Sequence, residues 1–509
     1  MAHPDGDGAS FFPDKPFLAG EQVIVKPGVP VAGDRDGTVT FTVLGAARTV
    51  PPFGQPASPS RRPGDVQRFV SRPDLAPPGI HVVTRTAAAS ANDIFLAPKL
   101  GDSQQGPMIL DARGRLVWFK ALPKGQQAYD FRVQRYRGKP VLTWWQGDIH
   151  GYHGIGYGVV MDSSYRPLAT VRAGNGYNAD LHEFQLTPQG TALVTSYHPV
   201  PRDLRFVGGA KDGVVMDCIV QEVDVATGLV LFEWHALGHV GLKESYLPVH
   251  NPLGSVYDYF HLNSIDLEPD GDLLISSRHT HTLYEIDRAT GRILWRMGGK
   301  RSDFRMGKGT DFAWQHDAKR QPDGTISLFD NSANNKPGPR SSGKVLSVDM
   351  AHHAVHLVRE LGHPRPLTAP TQGSMQPLPG GGAFVGWGGT NRDFTEYDAQ
   401  GNVVFDAYFT APQDESYRAY RFDWTGTPVV PPRVALSGGK AYASWNGATQ
   451  VASWRLLTGA APGALAPGPT VTSAGFETAL PVAGRPAYVA VQALDASGAV
   501  LGTAKPVKG

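Results

Sequence analysis

Five residues in this 509-residue chain could together attack, protonate and cradle an anionic group: His182, His261, Asn263, Arg278 and His316. A recurring hairpin brings most of them into register. Its copies are FRVQRYRGKPVLTWW (131–145), HEFQLTPQGTALVTSY (182–197), HLNSIDLEPDGDLLISSR (261–278), HDAKRQPDGTISLFDN (316–331) and SMQPLPGGGAFVGWG (374–388). Eight residues before the turn glycine, Gly190 leads to His182, Gly271 to Asn263, Gly324 to His316, Gly138 to Asp130 and Gly382 to Ser374. His261 lies two before Asn263, on the same side of a strand. A neutral imidazole serves as nucleophile or as acid and base. Arg278, at the end of LLISS, offers a guanidinium for a bidentate anion contact. Three histidines could instead hold a metal. An arginine beside them, with no carboxylate at a matching place except Asp130, favours an anion, so neither metal nor cofactor is expected. His279 and His281 are expected in a supporting or surface role, and His352, His353 and His356 in a solvated turn.

The elements that must position these residues are strands. A second hairpin, strand then Asp-led turn then strand, alternates with the first and has its aspartates at 111, 162, 224, 287, 349 and 398. DIFLAP (93–98) reads as a sixth, atypical start of the first type. Two hairpins per unit give four strands, and six such units predict a six-bladed β-propeller over 76–428. The first strand of each blade would line the central channel, so polar residues at its N-terminal end converge at one mouth.

Composition fits an all-β chain. Gly 60 and Pro 42 make up about a fifth of the residues, well above the usual share, and both are poor in helix interiors. The chain is still 41% hydrophobic with 10 Trp, enough for large cores. A formal net charge of +2 without a long basic run gives no nucleic-acid footprint. The single Cys218 excludes an intrachain disulfide and a CxxC metal site. No apolar run reaches the roughly 18 residues of a membrane span, and no signal peptide is visible at the N-terminus. Residues 1–75 read as a partial β-module with strands at 23–31 and 38–43 and a linker at 51–66. Residues 429–509 read as a fibronectin-III-like sandwich.

FHLNSID (260–266), SSRH (276–279), GRILWRMGG with SDF (291–304), FAWQHDA (312–318), ISLFDN (326–331), SRPDLAPP (71–78) and SYRAYRFDWTG (416–426) resemble the arylsulfate sulfotransferase family, in its actinobacterial and fungal branch. The resemblance implies transfer of a sulfuryl group from an aryl sulfate to a phenolic acceptor without a nucleotide donor. It implies a ping-pong route through a sulfated histidine at His316, with His261 and Asn263 as the HxN pair, Arg278 as anion stabiliser and His182 as the remaining site histidine. It also implies export from the cytoplasm. The paired cysteines of enteric members have no counterpart. Thr390, Asn391 and Arg392 are expected to form a substrate-contact loop. A biosynthetic cyclase, lyase or hydrolase using the same pocket, and a non-catalytic binding propeller, are the alternative readings. The residues leave donor, acceptor and oligomeric state open.

Overall fold

The computed structural model describes residues 62–250, 256–332, 340–389 and 391–509, with short stretches within 13–43. It is almost entirely β, with one short helix at Ala236–His239 among the described residues. Antiparallel sheets follow one another along the chain. The first holds Gln127–Tyr136, Lys139–His150, His153–Met161 and Pro167–Val171. The second begins at Phe184–Leu186, the third at Leu262–Leu267, the fourth at His316–Arg320 and the fifth at Ser374–Pro377. The sixth begins at Glu415–Phe422 and is completed by Asp93–Lys99, Met108–Leu110 and Leu116–Phe119.

Each gap between successive sheets holds its own apolar core. Val141 and Phe184 meet between the first and second sheets, and Trp234, Phe260 and Tyr284 between the second and third. Leu283 and Leu328 meet between the third and fourth, Phe329 and Trp387 between the fourth and fifth. Phe119 and Phe405 fill the gap between fifth and sixth. Phe95, Trp118 and Trp144 then join the sixth back to the first. A sheet face buried on both sides needs near-continuous apolar strands, which is how LLISS and ISLFD read.

The six Asp-led turns form as expected. In each the aspartate Oδ1 accepts a backbone N–H from inside the turn: Arg113 on Asp111, Ser164 on Asp162, Ala226 on Asp224, Ala289 on Asp287, His352 on Asp349 and Gln400 on Asp398. The closing sheet differs from the expectation. DIFLAP is its second strand, and the innermost strand comes from the far end of the chain at 415–422. Pairing these two strands, distant in sequence, removes two free sheet edges at once. The chain before DIFLAP also reaches further, because Ile80–Arg85 adds a fifth strand to the fifth sheet.

Gln22–Val25 pairs with Val39–Thr42, near the strands expected there, whereas residues 51–61 of the predicted linker lie outside the described residues. At the C-terminal end, a three-stranded and a larger sheet share a core of Trp454, Leu480 and Val491. That module docks on the sixth sheet, where Asn446 exchanges hydrogen bonds with both backbone groups of Phe119.

Candidate active site

The innermost strands carry β-bulges, which re-aim side chains at the ends of strands. The first sheet is bulged between Tyr129 and Arg132 and the fourth between His316 and Lys319. Asp130 and Asp317 follow at φ 53° each, and both turn to Arg418, at 2.8 and 3.5 Å. Asp130 is therefore the counterpart of Asp317, and Tyr129 that of His316. The glycine ruler slipped by one because the first hairpin closes through a tight Arg137–Gly138 turn, with Tyr136 paired to Lys139. It slipped again in the fifth sheet: Gly382 has φ −72°, and Gly381 holds the positive-φ place. Gly373 rather than Ser374 is then the position in register.

His182, His261, Arg278 and His316 do converge. The rings of His182 and His261 stand 4.8 Å apart, and Tyr417 lies within 5.9 Å of His182 and 6.4 Å of His316. Two aspartates missed in the sequence orient the first pair. His182 Nδ1 pairs with Asp180 Oδ1. His261 Nδ1 lies 2.5 Å from Asp258 Oδ2, and its backbone N–H donates to the other oxygen. A D-x-H and a D-x-x-H spacing were the available signals, and they meant nothing until a turn folded the carboxylate back. His153 and Tyr197 were also missed. Their rings lie 4.2 Å apart, tilted by 31°, beside the pair, and His153 Nε2 is 3.7 Å from Asp258.

Arg278 sits over the Trp314 ring at 4.7 Å and donates to the Pro370 carbonyl at 2.8 Å and His279 Nε2 at 2.7 Å. His279 and His281 are both buried, not surface residues; His352 and His353 are exposed as expected. His316 is bracketed by Asn331, whose Oδ1 is 2.6 Å from Nδ1, and by the Gln372 N–H, 3.1 Å from Nε2. Asn263 Nδ2 donates to the Gln315 carbonyl at 2.6 Å, so it holds the bulge from which His316 projects.

Burial lowers the pKa of His316 and His261 well below the ordinary imidazole value, and the Arg278 charge pushes the same way. Both are therefore neutral at pH 7, each with one ring nitrogen that keeps its lone pair; on His316 that lone pair accepts the Gln372 N–H. Burial also brings Arg278 down to about 10, against the pull of Asp258, so it stays cationic. Beside this cluster lies an ion-paired layer. Arg418, fully buried, reaches Asp130, Glu183 and the Asn263 carbonyl, while Lys319 reaches Glu183 at 3.2 Å.

The expected substrate loop packs on the segment that carries Gln372, where the Gly389 N–H donates to the Thr371 carbonyl. Arg392 donates to the Thr410 carbonyl and stacks on Tyr408, and Asn391 donates to Thr368, Trp387 and Gly389 carbonyls. The Asn391 amide is thus spent on closing the loop. Thr390 lies outside the described residues. Asp258, His261 and His279 stand close enough to share a cation. Their facing atoms are instead joined by hydrogen bonds, and Arg278 presses on His279, which disfavours a cation there.

No curated protein matches the chain. Among solved structures, a Bacteroides caccae protein of unknown function aligns at 13% identity over 65% of this chain and 99% of its own, with TM-score 0.41. A Lactobacillus plantarum protein aligns at 14% over 76% and 97%, with TM-score 0.35. A virginiamycin B lyase from Staphylococcus aureus with quinupristin aligns at 8% over 72% and 96%, with TM-score 0.34. The model of the family described as arylsulfotransferase (ASST) matches residues 132–410. That stretch is more than half of the chain and contains every one of the converging histidines, so the chain belongs to the arylsulfotransferase family.

Proposed function

We propose that the chain is a nucleotide-independent aryl sulfotransferase working by a ping-pong sulfohistidine route on a six-bladed β-propeller, with a fibronectin-III-like module at its C-terminal end. Six apolar cores between six successive sheets support the propeller reading. The observation that carries the function is the meeting of a neutral His316, two aspartate-held histidines and a cationic Arg278 around Tyr417.

In the first half-reaction the His316 Nε2 lone pair attacks sulfur, and the S–O bond to the aryl ring breaks. The electron pair leaves on the phenolate oxygen, which takes a proton from the imidazolium form of His182 rather than from His261, which burial holds neutral. His182 has Nδ1 tied to a carboxylate, so Nε2 is the atom that exchanges the proton. Arg278 stabilises negative charge on the sulfuryl oxygens, as pre-placed donors do in phosphoryl transfer. In the second half the acceptor phenol gives its proton back to the same histidine and attacks sulfur, freeing His316. Asn263 keeps the Gln315–His316 bulge in place.

The experiment is incubation with a chromogenic aryl sulfate, with and without a phenol, followed by peptide mass spectrometry. A one-sulfuryl gain on the peptide containing His316, discharged by the phenol, supports the reading. Turnover of a neutral substrate without any adduct would instead favour a lyase, cyclase or hydrolase.

A further inference from the structure

We propose that Asn331 is a positioning residue that locks His316 into the tautomer with its proton on Nδ1. In the same lock, the chain segment 369–373 supplies the Gln372 N–H as a donor that passes from Nε2 to the sulfuryl group. This rests on the sulfohistidine reading of His316.

The tautomer follows from two independent edges of the ring. Asn331 Nδ2 lies 2.9 Å from the Ala369 carbonyl and 2.9 Å from the Gln372 carbonyl. Carbonyls only accept, so both amide hydrogens are spent there and Oδ1 must face the histidine. Oδ1 also only accepts, so His316 Nδ1, at 2.6 Å, carries the proton. On the other edge the backbone nitrogen of Gln372 only donates, and its N–H lies against Nε2 at 3.1 Å. Nε2 therefore carries the lone pair. A free histidine side chain in water prefers the opposite tautomer, so the protein must hold this one in place.

The segment is built to do so. Gln372 sits at φ 64° and Gly373 at φ 105°. A Cβ on Gly373 would fall 2.4 Å from the Phe329 ring. The Ala369 N–H donates to Ser341 Oγ at 2.7 Å, the Pro370 carbonyl accepts from Arg278, and the Gly373 N–H donates to the Tyr417 carbonyl at 3.0 Å. One residue, Gln372, thus holds Asn331 with its carbonyl and His316 with its N–H.

The step balances without moving the Nδ1 proton. As the Nε2–S bond forms and the S–O(aryl) bond breaks, the imidazole becomes a cation whose Nδ1–H stays on Asn331. The Gln372 N–H loses its acceptor at that moment and is left within reach of the sulfuryl oxygens. The charged and titratable groups acting on His316 are Arg278 from the third sheet, His182 from the second and Arg418 from the sixth, with Tyr417 at its edge.

The test is nitrogen NMR of the full chain labelled at histidine, with the His316 signals assigned through His316→Gln. A proton on Nδ1 in the wild type is expected, and a proton on Nε2 overturns the proposal. Asn331→Leu should slow adduct formation from an aryl sulfate about 10- to 100-fold. Asn331→Asp keeps an acceptor for Nδ1–H and favours the imidazolium but sets an oxygen against the Ala369 and Gln372 carbonyls, so it should recover part of the rate lost in Asn331→Leu and move the acid limb of kcat/KM to higher pH. Wild-type adduct rates in Asn331→Leu also overturn it. If the wild type forms no adduct at all, the sulfohistidine reading fails, and the NMR signal still decides the tautomer.

Discussion

Two buried polar clusters lie side by side at the centre of this molecule, and they are built to opposite rules. Around Arg418, positive and negative groups alternate: Asp130, Arg132, Glu183, Asp317 and Lys319 converge from the first, second and fourth sheets. Arg418, Lys319 and Arg132 hold Glu183 below the usual carboxylate range despite its burial. Around His316, burial and Arg278 instead keep the imidazoles neutral. The first cluster neutralises itself, whereas the second keeps a cation and lone pairs that a sulfuryl ester can use. Buried charge alone does not mark the chemistry; the unbalanced part does.

The sharpest way to break the comparison is to remove one member of each side. His316→Ala should lower turnover by roughly ten-thousandfold or more, as loss of a nucleophile does, while leaving the unfolding midpoint close to wild type. Steady-state kinetics and thermal melting check the two halves. Arg418→Met should do the reverse in kind: it strips Asp130, Glu183 and Asp317 of a buried cation that Arg132 and Lys319 replace only in part, which costs about 3–5 kcal/mol. Urea unfolding reads that loss. A stable Arg418→Met protein with normal unfolding would show that the ion-paired cluster is not a structural lock.

A milder change should separate the clusters more finely. Asp258 holds His261 from two sides, at Nδ1 and at the backbone N–H. Asp258→Asn should cut kcat about 10- to 100-fold, by analogy with carboxylates that orient metal-bound histidines. It should change KM little, because Asp258 faces histidines rather than the pocket. An equal fall in kcat/KM across the whole pH range would argue that Asp258 only supports the loop.

How far these clusters were legible in the sequence depends on what each residue leans on. The histidines showed through because a turn glycine marks a fixed distance along a strand, and Gly190, Gly271 and Gly324 all take the positive φ such turns demand. The ruler failed at the two-residue Arg137–Gly138 turn, which is shorter than the others, and at Gly380–Gly381–Gly382, where three glycines in a row hide which one takes the turn position. Asn331 stood in a quoted motif without a role, because its work depends on carbonyls 38 and 41 residues away. The closing strand at 415–422 lay in a quoted motif, SYRAYRFDWTG, but had no place among the copies of the repeat, because its partner strand is DIFLAP, far upstream in the chain. Local rules are written locally, whereas ring closure and long-range polar contacts are not.

The smallest effect uses a histidine with the opposite electrostatics. His235, on the second sheet, is about a third exposed and lies between Asp217 at 2.7 Å and Glu233 at 2.9 Å. Burial works against its charge, but the two carboxylates outweigh it and raise the pKa to about 9. Its folded pKa is above the unfolded value near ~6.5, so the stability it adds is full below that pH and lost as pH rises through about 9. For His316 and His261 the folded pKa is depressed, so their neutral form favours folding above about 6.5, and that contribution is lost as pH falls below it. His235→Gln should therefore lower the melting temperature by a small amount below about 6.5 and leave it unchanged above about 9, which flattens the alkaline side of the profile, since solvent screens the exposed part of the pair; turnover should stay unchanged. A loss that persists above about 9 would mean that the neutral hydrogen bonds, not the imidazolium charge, govern this contact.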